Sequence, residues 1–99
     1  MKVMVGLVRR DDMSREEFEN WWLVEHAPLA RTLPGVERIR FNLLDEGAPF
    51  DGIAELWFPS AEVADAAYAT EIGKAVAADS VAHVKSRVRM LADEREVLG

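Results

Sequence analysis

Hydrophobic and polar positions change period repeatedly along the chain, and each change marks the edge of an element. Residues 2 to 9, "KVMVGLVR", are apolar almost without alternation, which predicts a strand buried on both faces. Ser14 followed by Glu17 forms a capping box with acidic residues in the first turn, so a helix begins at about Arg15. At about 100° per residue, Phe18, Trp22, Glu25, His26, Leu29 and Leu33 share one arc of that helix, with Trp21 at its edge. Pro28 is expected to break or restart the helix near His26. A Pro34-Gly35 turn leads into a strand with Ile39, Phe41 and Leu43 on one side and Arg38, Arg40 and Asn42 on the other. After the loop "EGAPFDG", "IAELWF" is a third strand ended by Pro59, in which Ile53, Glu55 and Trp57 oppose Ala54, Leu56 and Phe58. Ser60 caps an alanine-rich helical region that Gly73 and Asp79-Ser80 are expected to divide into two or three short pieces. A last strand is expected from about Arg87 to Leu98, interrupted near Ala92-Asp93.

The order β-α-β-β-α-β predicts an α+β fold of the ferredoxin-like kind over one domain, residues 1–99, with an antiparallel sheet covered by helices on one face. Two helices on one face leave the other bare. A first strand apolar on both sides therefore calls for another layer, and a second copy about a twofold axis supplies it. The expectation is a homodimer with facing sheets.

Composition narrows the partners. A chain of 99 residues buries roughly two-thirds of the surface of its unfolded state, enough for one modest core. Apolar residues at 49% and charged residues at 30%, without a linker or repeat, describe a folded module. A formal net charge of −6 argues against nucleic acid, whose binding draws on Lys and Arg. The absence of cysteine removes disulfides, thiolate nucleophiles and Cys-based metal sites. The first eight residues are too short for a signal peptide and no apolar run is long enough to span a bilayer, so no membrane partner and a cytoplasmic location are expected.

The candidate chemistry centres on "WWLVEHAPLA", residues 21 to 30. His26 sits beside the apolar arc, and its neighbours three and four positions away are Trp22, Leu23, Leu29 and Ala30, none of which can orient an imidazole. A polar partner is therefore expected from the sheet or the loops: Glu55 or Asp51, with Arg40 and Asn42 on the neighbouring strand. A histidine with a carboxylate in an aromatic pocket makes a general acid-base pair working near neutral pH. The same residues also admit plainer roles: an imidazole bonded to a backbone carbonyl, tryptophans that only fill the core, and a Glu55–Arg40 ion pair. His83 has no second ligand at metal spacing, so neither a metal nor an organic cofactor is expected.

Three stretches carry a resemblance. "FENWWLVEHAPLA" (Phe18 to Ala30), "FDGIAELWFPS" (Phe50 to Ser60) and "ADEREVL" (Ala92 to Leu98) together resemble the EthD-like family of the dimeric α+β barrel superfamily, in order and with family spacing. The resemblance implies a dimer of ferredoxin-like protomers with a cofactor-free pocket between helices and sheet. Relatives include methylmuconolactone isomerases, aromatic polyketide cyclases and decarboxylase or dehydratase enzymes. It also implies that Trp22, His26, Asp51, Glu55 and Trp57 form the pocket's signature. The expected activity is isomerase, cyclase or lyase chemistry on a small cyclic carbonyl, lactone or phenolic compound in a degradation or polyketide-type pathway. In it His26 moves the proton, Glu55 or Asp51 sets its tautomer, Arg40 or Asn42 steadies an enolate oxygen, and Trp22, Trp57 and Tyr68 shape the substrate site. The alternatives are a non-catalytic small-molecule binder or accessory protein, and a cofactor-free monooxygenase.

Overall fold

A computed structural model describes residues 1–99. The sheet is formed by β1 (Lys2–Arg9), β2 (Arg38–Leu43), β3 (Gly52–Trp57) and β4 (Val84–Ala92), antiparallel throughout, in the order β2-β3-β1-β4. Both helical segments of the chain lie on one face, as the β-α-β-β-α-β order requires. Val3, Val5 and Leu7 of β1 and Ala54 and Leu56 of β3 point into that layer and are buried. The alternate positions look away from the helices. There Met4 and Val8 are half-buried, Val88 and Met90 are exposed, and Gly6 is covered only because the Phe50 ring lies where its Cβ would be, 2.6 Å away. The second face of β1 is thus apolar but only partly covered within one chain.

The first helical rod has three parts. α1 (Arg15–Asn20) starts on the Ser14–Glu17 capping box, Trp21–His26 forms a π-helical turn, and α2 (Ala27–Ala30) closes the rod. Pro28 explains the middle part. It has no N–H to give to Val24, and its ring would collide with that carbonyl in a regular α-helix. The wider turn relieves the collision, and the Ala27 N–H bonds instead to the Trp22 carbonyl, five residues back. The arc expected from α-helical spacing is therefore redrawn. Trp21, expected at its edge, is buried, while Glu25, expected within it, is exposed. Residues five apart now meet: the Trp21 and His26 rings are 5.0 Å between centroids, tilted by 38°.

The alanine-rich region divides once, at Thr70, into α3 (Ala61–Ala69) and α4 (Glu71–His83). Gly73 and Asp79-Ser80 lie inside α4 and do not divide it. Thr70 is extended and its hydroxyl caps α4 by accepting from the Gly73 N–H at 3.0 Å. Gly73 is needed for close approach, since a Cβ there would meet the Ala67 carbonyl and the Tyr68 backbone. Asp79 leaves the helix intact because its carboxylate bonds outward to the first rod and does not compete for local backbone groups. β4 begins at Val84, earlier than expected, and ends at Ala92, with no strand beyond. Leu43, expected among the apolar positions of β2, is exposed at the strand's end.

The core is formed around Trp22, Phe18, Phe58 and Leu7. Trp22 is 0% exposed, stacks on Phe41 at 4.2 Å with the rings 8° from parallel, and fills the space above Gly52, where a Cβ would stand 2.5 Å from the indole. The two aromatic layers fix the distance between the helical rod and the sheet, and so set the height of the space beside them.

Candidate functional site

His26 is 5% exposed and hangs from the π-helical turn into the layer between helices and sheet. Its partner comes from neither the sheet nor the loops. The Nδ1–H donates to the Asp79 carboxylate on α4 at 2.7 Å, and the Trp21 Nε1–H donates to the same oxygen at 3.2 Å. A carboxylate can only accept here, which places the proton on Nδ1 and leaves Nε2 as an acceptor. The Ser80 hydroxyl lies 3.4 Å from Nε2. His83 donates to the Asp79 carbonyl at 2.8 Å and stacks on Trp21 at 4.9 Å, which holds α4 to the first rod behind the pair.

On the sheet side Nε2 faces a cavity of about 20 Å³, lined chiefly by apolar groups that include Leu7, Trp22, Phe41, Ala54, Leu56 and Val76. Its polar members are His26, Ser80, Tyr68 and Arg87. The volume is enough for about one water molecule. Tyr68, Phe41 and Arg87 are half-buried, so the cavity reaches solvent at their end.

The electrostatics follow from this burial. Loss of solvent pushes the His26 imidazole below its ordinary value of 6.5. The hydrogen bond and charge of Asp79 pull upward and are outweighed, and the charges of Arg87 and His83 add to the downward push. Burial raises the Tyr68 phenol above its ordinary range, against the pull of Arg87 and Arg89. At neutral pH the cavity therefore presents an unprotonated Nε2 as acceptor and a phenolic O–H as donor.

Of the residues expected at the site, the structure brings together His26, Trp22 and Tyr68 and separates the others. Glu55 lies on the opposite face of the sheet. It accepts from Lys2 Nζ at 2.8 Å and from Asn42 Nδ2 at 3.0 Å, and these two donors hold its carboxyl below the usual range. Asn42 and Arg40 share that face with it, and Arg40 makes no ion pair with Glu55. Trp57 is there too, between the Arg38 guanidinium at 4.7 Å and Glu94, which accepts from its Nε1 at 3.1 Å. Asp51 sits at the sheet's end, where it accepts from the Arg9 N–H at 2.8 Å and lies 3.4 Å from the Arg9 side chain. The reason is the strand period. Gly52, Ala54 and Leu56 take the helix-facing positions of β3, so Glu55 and Trp57 must face away. The role assigned to Glu55 or Asp51 as partner of His26 is thereby corrected to Asp79. Asp79, Ser80 and Arg87 are the site residues that sequence reasoning passed over.

No group of three or more His, Cys, Asp or Glu side chains converges in a way that could hold a metal ion, and no helix is long and apolar enough to cross a membrane. Comparison with known proteins gives a consistent picture of the fold. A protein-family model described as the EthD domain matches residues 10–85. An ethyl tert-butyl ether D family protein from Bacillus halodurans is similar over 96% of this chain and 99% of its own, at 24% identity and a TM-score of 0.82. A dimeric ferredoxin-like protein of unknown function from Thermobifida fusca matches over 90% of this chain and 85% of its own, at 14% identity and a TM-score of 0.69. SnoaB, a cofactor-independent oxygenase from Streptomyces nogalater, matches over 98% and 95%, at 18% identity and a TM-score of 0.60. No curated protein matches the sequence.

Proposed function

Because the chain belongs to the EthD family, we propose that it is a small-molecule enzyme working by proton transfer at carbon without a cofactor. The reaction is of the isomerase, cyclase or lyase type, on a small cyclic carbonyl, lactone or phenolic compound of a degradation or polyketide-type pathway. The observation that carries this reading is the buried Asp79–His26 pair with Nε2 turned into an apolar cavity. The fold holds the two nitrogens unequally, Nδ1 by the Asp79 carboxylate at 2.7 Å and Nε2 only by a long contact to the Ser80 hydroxyl at 3.4 Å, so Nε2 is the nitrogen that a substrate can engage.

Asp79 fixes the tautomer and steadies the imidazolium that forms when Nε2 takes a proton from substrate carbon. The enolate oxygen that develops receives a hydrogen bond from Tyr68, whose raised pKa keeps it protonated. His26 then returns the proton to a second carbon or to a leaving oxygen. Trp22 and Phe41 keep water out. A ring-sized substrate exceeds the space of one water, so its binding must push the lining rings apart.

We further propose a homodimer in which the open sheet faces meet. Met4, Val8, Val88 and Met90 give that face an apolar centre, and the Lys2–Glu55–Asn42 and Glu94–Trp57 contacts give it a polar margin. The Thermobifida neighbour, described as dimeric, supports the arrangement. The description of the Streptomyces neighbour favours one second reading, a cofactor-free oxygenase in which His26 deprotonates a phenol before O₂ reacts.

The test is deuterium uptake at carbon, followed by NMR in D₂O over a panel of lactones, phenols and β-dicarbonyl compounds, with O₂ consumption measured in parallel. Uptake that His26→Ala and His26→Gln both abolish supports the base. Binding without uptake by the unaltered protein would make it a binding or accessory protein, and substrate-dependent O₂ consumption would make it an oxygenase.

A further inference from the structure

Arg87 is the charged residue of the cavity for which the fold supplies no partner. Cross-strand pairing of Leu7 with Arg87 and of Val5 with Arg89 turns both arginines toward the helical layer, among otherwise apolar positions. The Arg87 Nε is buried and is the one buried side-chain polar atom of the chain without a hydrogen-bond partner. No carboxylate acts on this guanidinium. The charges it feels are those of Tyr68 and of a second cation, Arg89, which lies 4.3 Å over the Tyr68 ring. Elsewhere Arg9, Arg10, Arg15 and Arg95 lie against carboxylates, and Arg31, Arg38, Arg40 and Arg89, which do not, are exposed to water, so Arg87 is the one arginine both half-buried and unpaired.

A half-buried guanidinium without an anion is costly, and the fork of its nitrogens matches a carboxylate edge to edge. We propose that Arg87 holds a carboxylate of the ligand at the mouth of the His26 cavity, so that the protein's substrates are small cyclic or aromatic carboxylates. The identification of the ligand as substrate rests on the acid-base reading above, while the anion site itself does not. The charged group stays at the solvent-reaching end beside Tyr68, and the apolar body of the ligand points inward past Phe41 and Trp22 toward Nε2. A single guanidinium between aromatic walls suits one planar, singly charged group better than a phosphate, which carries more charge and wants more donors.

The experiment titrates the ¹⁵N-labelled full chain with benzoate, with its neutral isostere benzamide, and with phenyl phosphate, read at the arginine Nε–Hε resonances. Benzoate is expected to bind at least about tenfold more tightly than benzamide, with the Arg87 resonance moving most. Arg87→Gln is expected to bring the two affinities together, Arg87→Lys to keep part of the preference, and Arg95→Gln on the exposed tail to keep all of it. Equal binding of benzoate and benzamide, no binding of either, a stronger response to phenyl phosphate, or a preference that survives Arg87→Gln would overturn the proposal. The resonance of the unaltered protein decides the matter even if Arg87→Gln fails to fold. His26→Ala separates the two readings. If it leaves deuterium uptake unchanged while benzoate still shifts Arg87, the base is wrong and the anion site stands. If uptake depends on His26 and benzoate is not preferred, the anion site is wrong and the base stands.

Discussion

The distance between Asp79 and His26 is 2.7 Å in space and 53 positions in sequence, and both numbers matter at the scale of residues. Asp79→Asn is expected to lower deuterium uptake by roughly 10²- to 10⁴-fold, because an amide that donates to Nδ1 moves the imidazole proton to Nε2, where a lone pair is needed. The helical circular dichroism should stay intact. The rate of the unaltered protein is expected to rise with pH along a limb with its midpoint below 6.5, the side to which burial moves His26. Stability has the same sign. The unfolded chain binds a proton at His26 more readily than the folded one, so His26's share of stability is complete above about 6.5 and is lost as pH falls toward the lower folded value. A thermal melt series from pH 8 to pH 5 checks this, and His26→Gln should flatten that part of it. His26 was legible in the sequence as one basic group within an aromatic arc. Asp79 was not, since an Asp-Ser pair in an alanine-rich stretch has the local signature of a helix breaker, and nothing local tells that its side chain reaches another helix.

At the scale of elements, the capping box at Ser14, the strand of alternating Arg and apolar residues at β2, and the stop at Pro59 were all readable, because each depends on neighbours in the chain. The π-helical turn was not, and it matters most for the site. It depends on how the Pro28 ring meets a carbonyl one turn earlier, a steric event that a fixed 100° step cannot register. The break at Thr70 was likewise hidden behind Gly73, a residue that serves the contact between α3 and α4. Thr70→Ala removes the cap of α4 and is expected to cost about 1 kcal/mol in chemical denaturation. Gly52→Ala presses a methyl group into Trp22 and is expected to cost about 1 to 3 kcal/mol through overpacking. It should also lower deuterium uptake, since Trp22 walls the cavity.

The whole molecule is a two-layer slab, 19 Å across in its thinnest direction, and its fold class followed from element order together with the unbroken apolar run of β1. What element order could not give was which face of β3 carries Glu55, since alternation fixes neighbours without saying which side meets the helices. A dimer joined through the open face is expected to bury at least about 1,200 Å² and to persist at micromolar concentration in sedimentation. Val88→Glu on that face should yield a folded monomer. The alternation along β4 has a consequence of its own. Arg87 and Arg89 are on the side of the helical layer, while Ser86, Val88 and Met90 face outward, so the strand is read in two interleaved frames. A single residue inserted between Val84 and Arg87 would swap the frames for everything after it, carrying guanidinium groups to the outer face and apolar side chains toward the helical layer. The irregularity in strand pairing falls at Val8 and Arg9, opposite the start of β4, where an offset can be absorbed before the frame begins to matter. Among descendants of this sequence, length changes should therefore collect at that end of the sheet and be absent along the stretch from Arg87 to Met90.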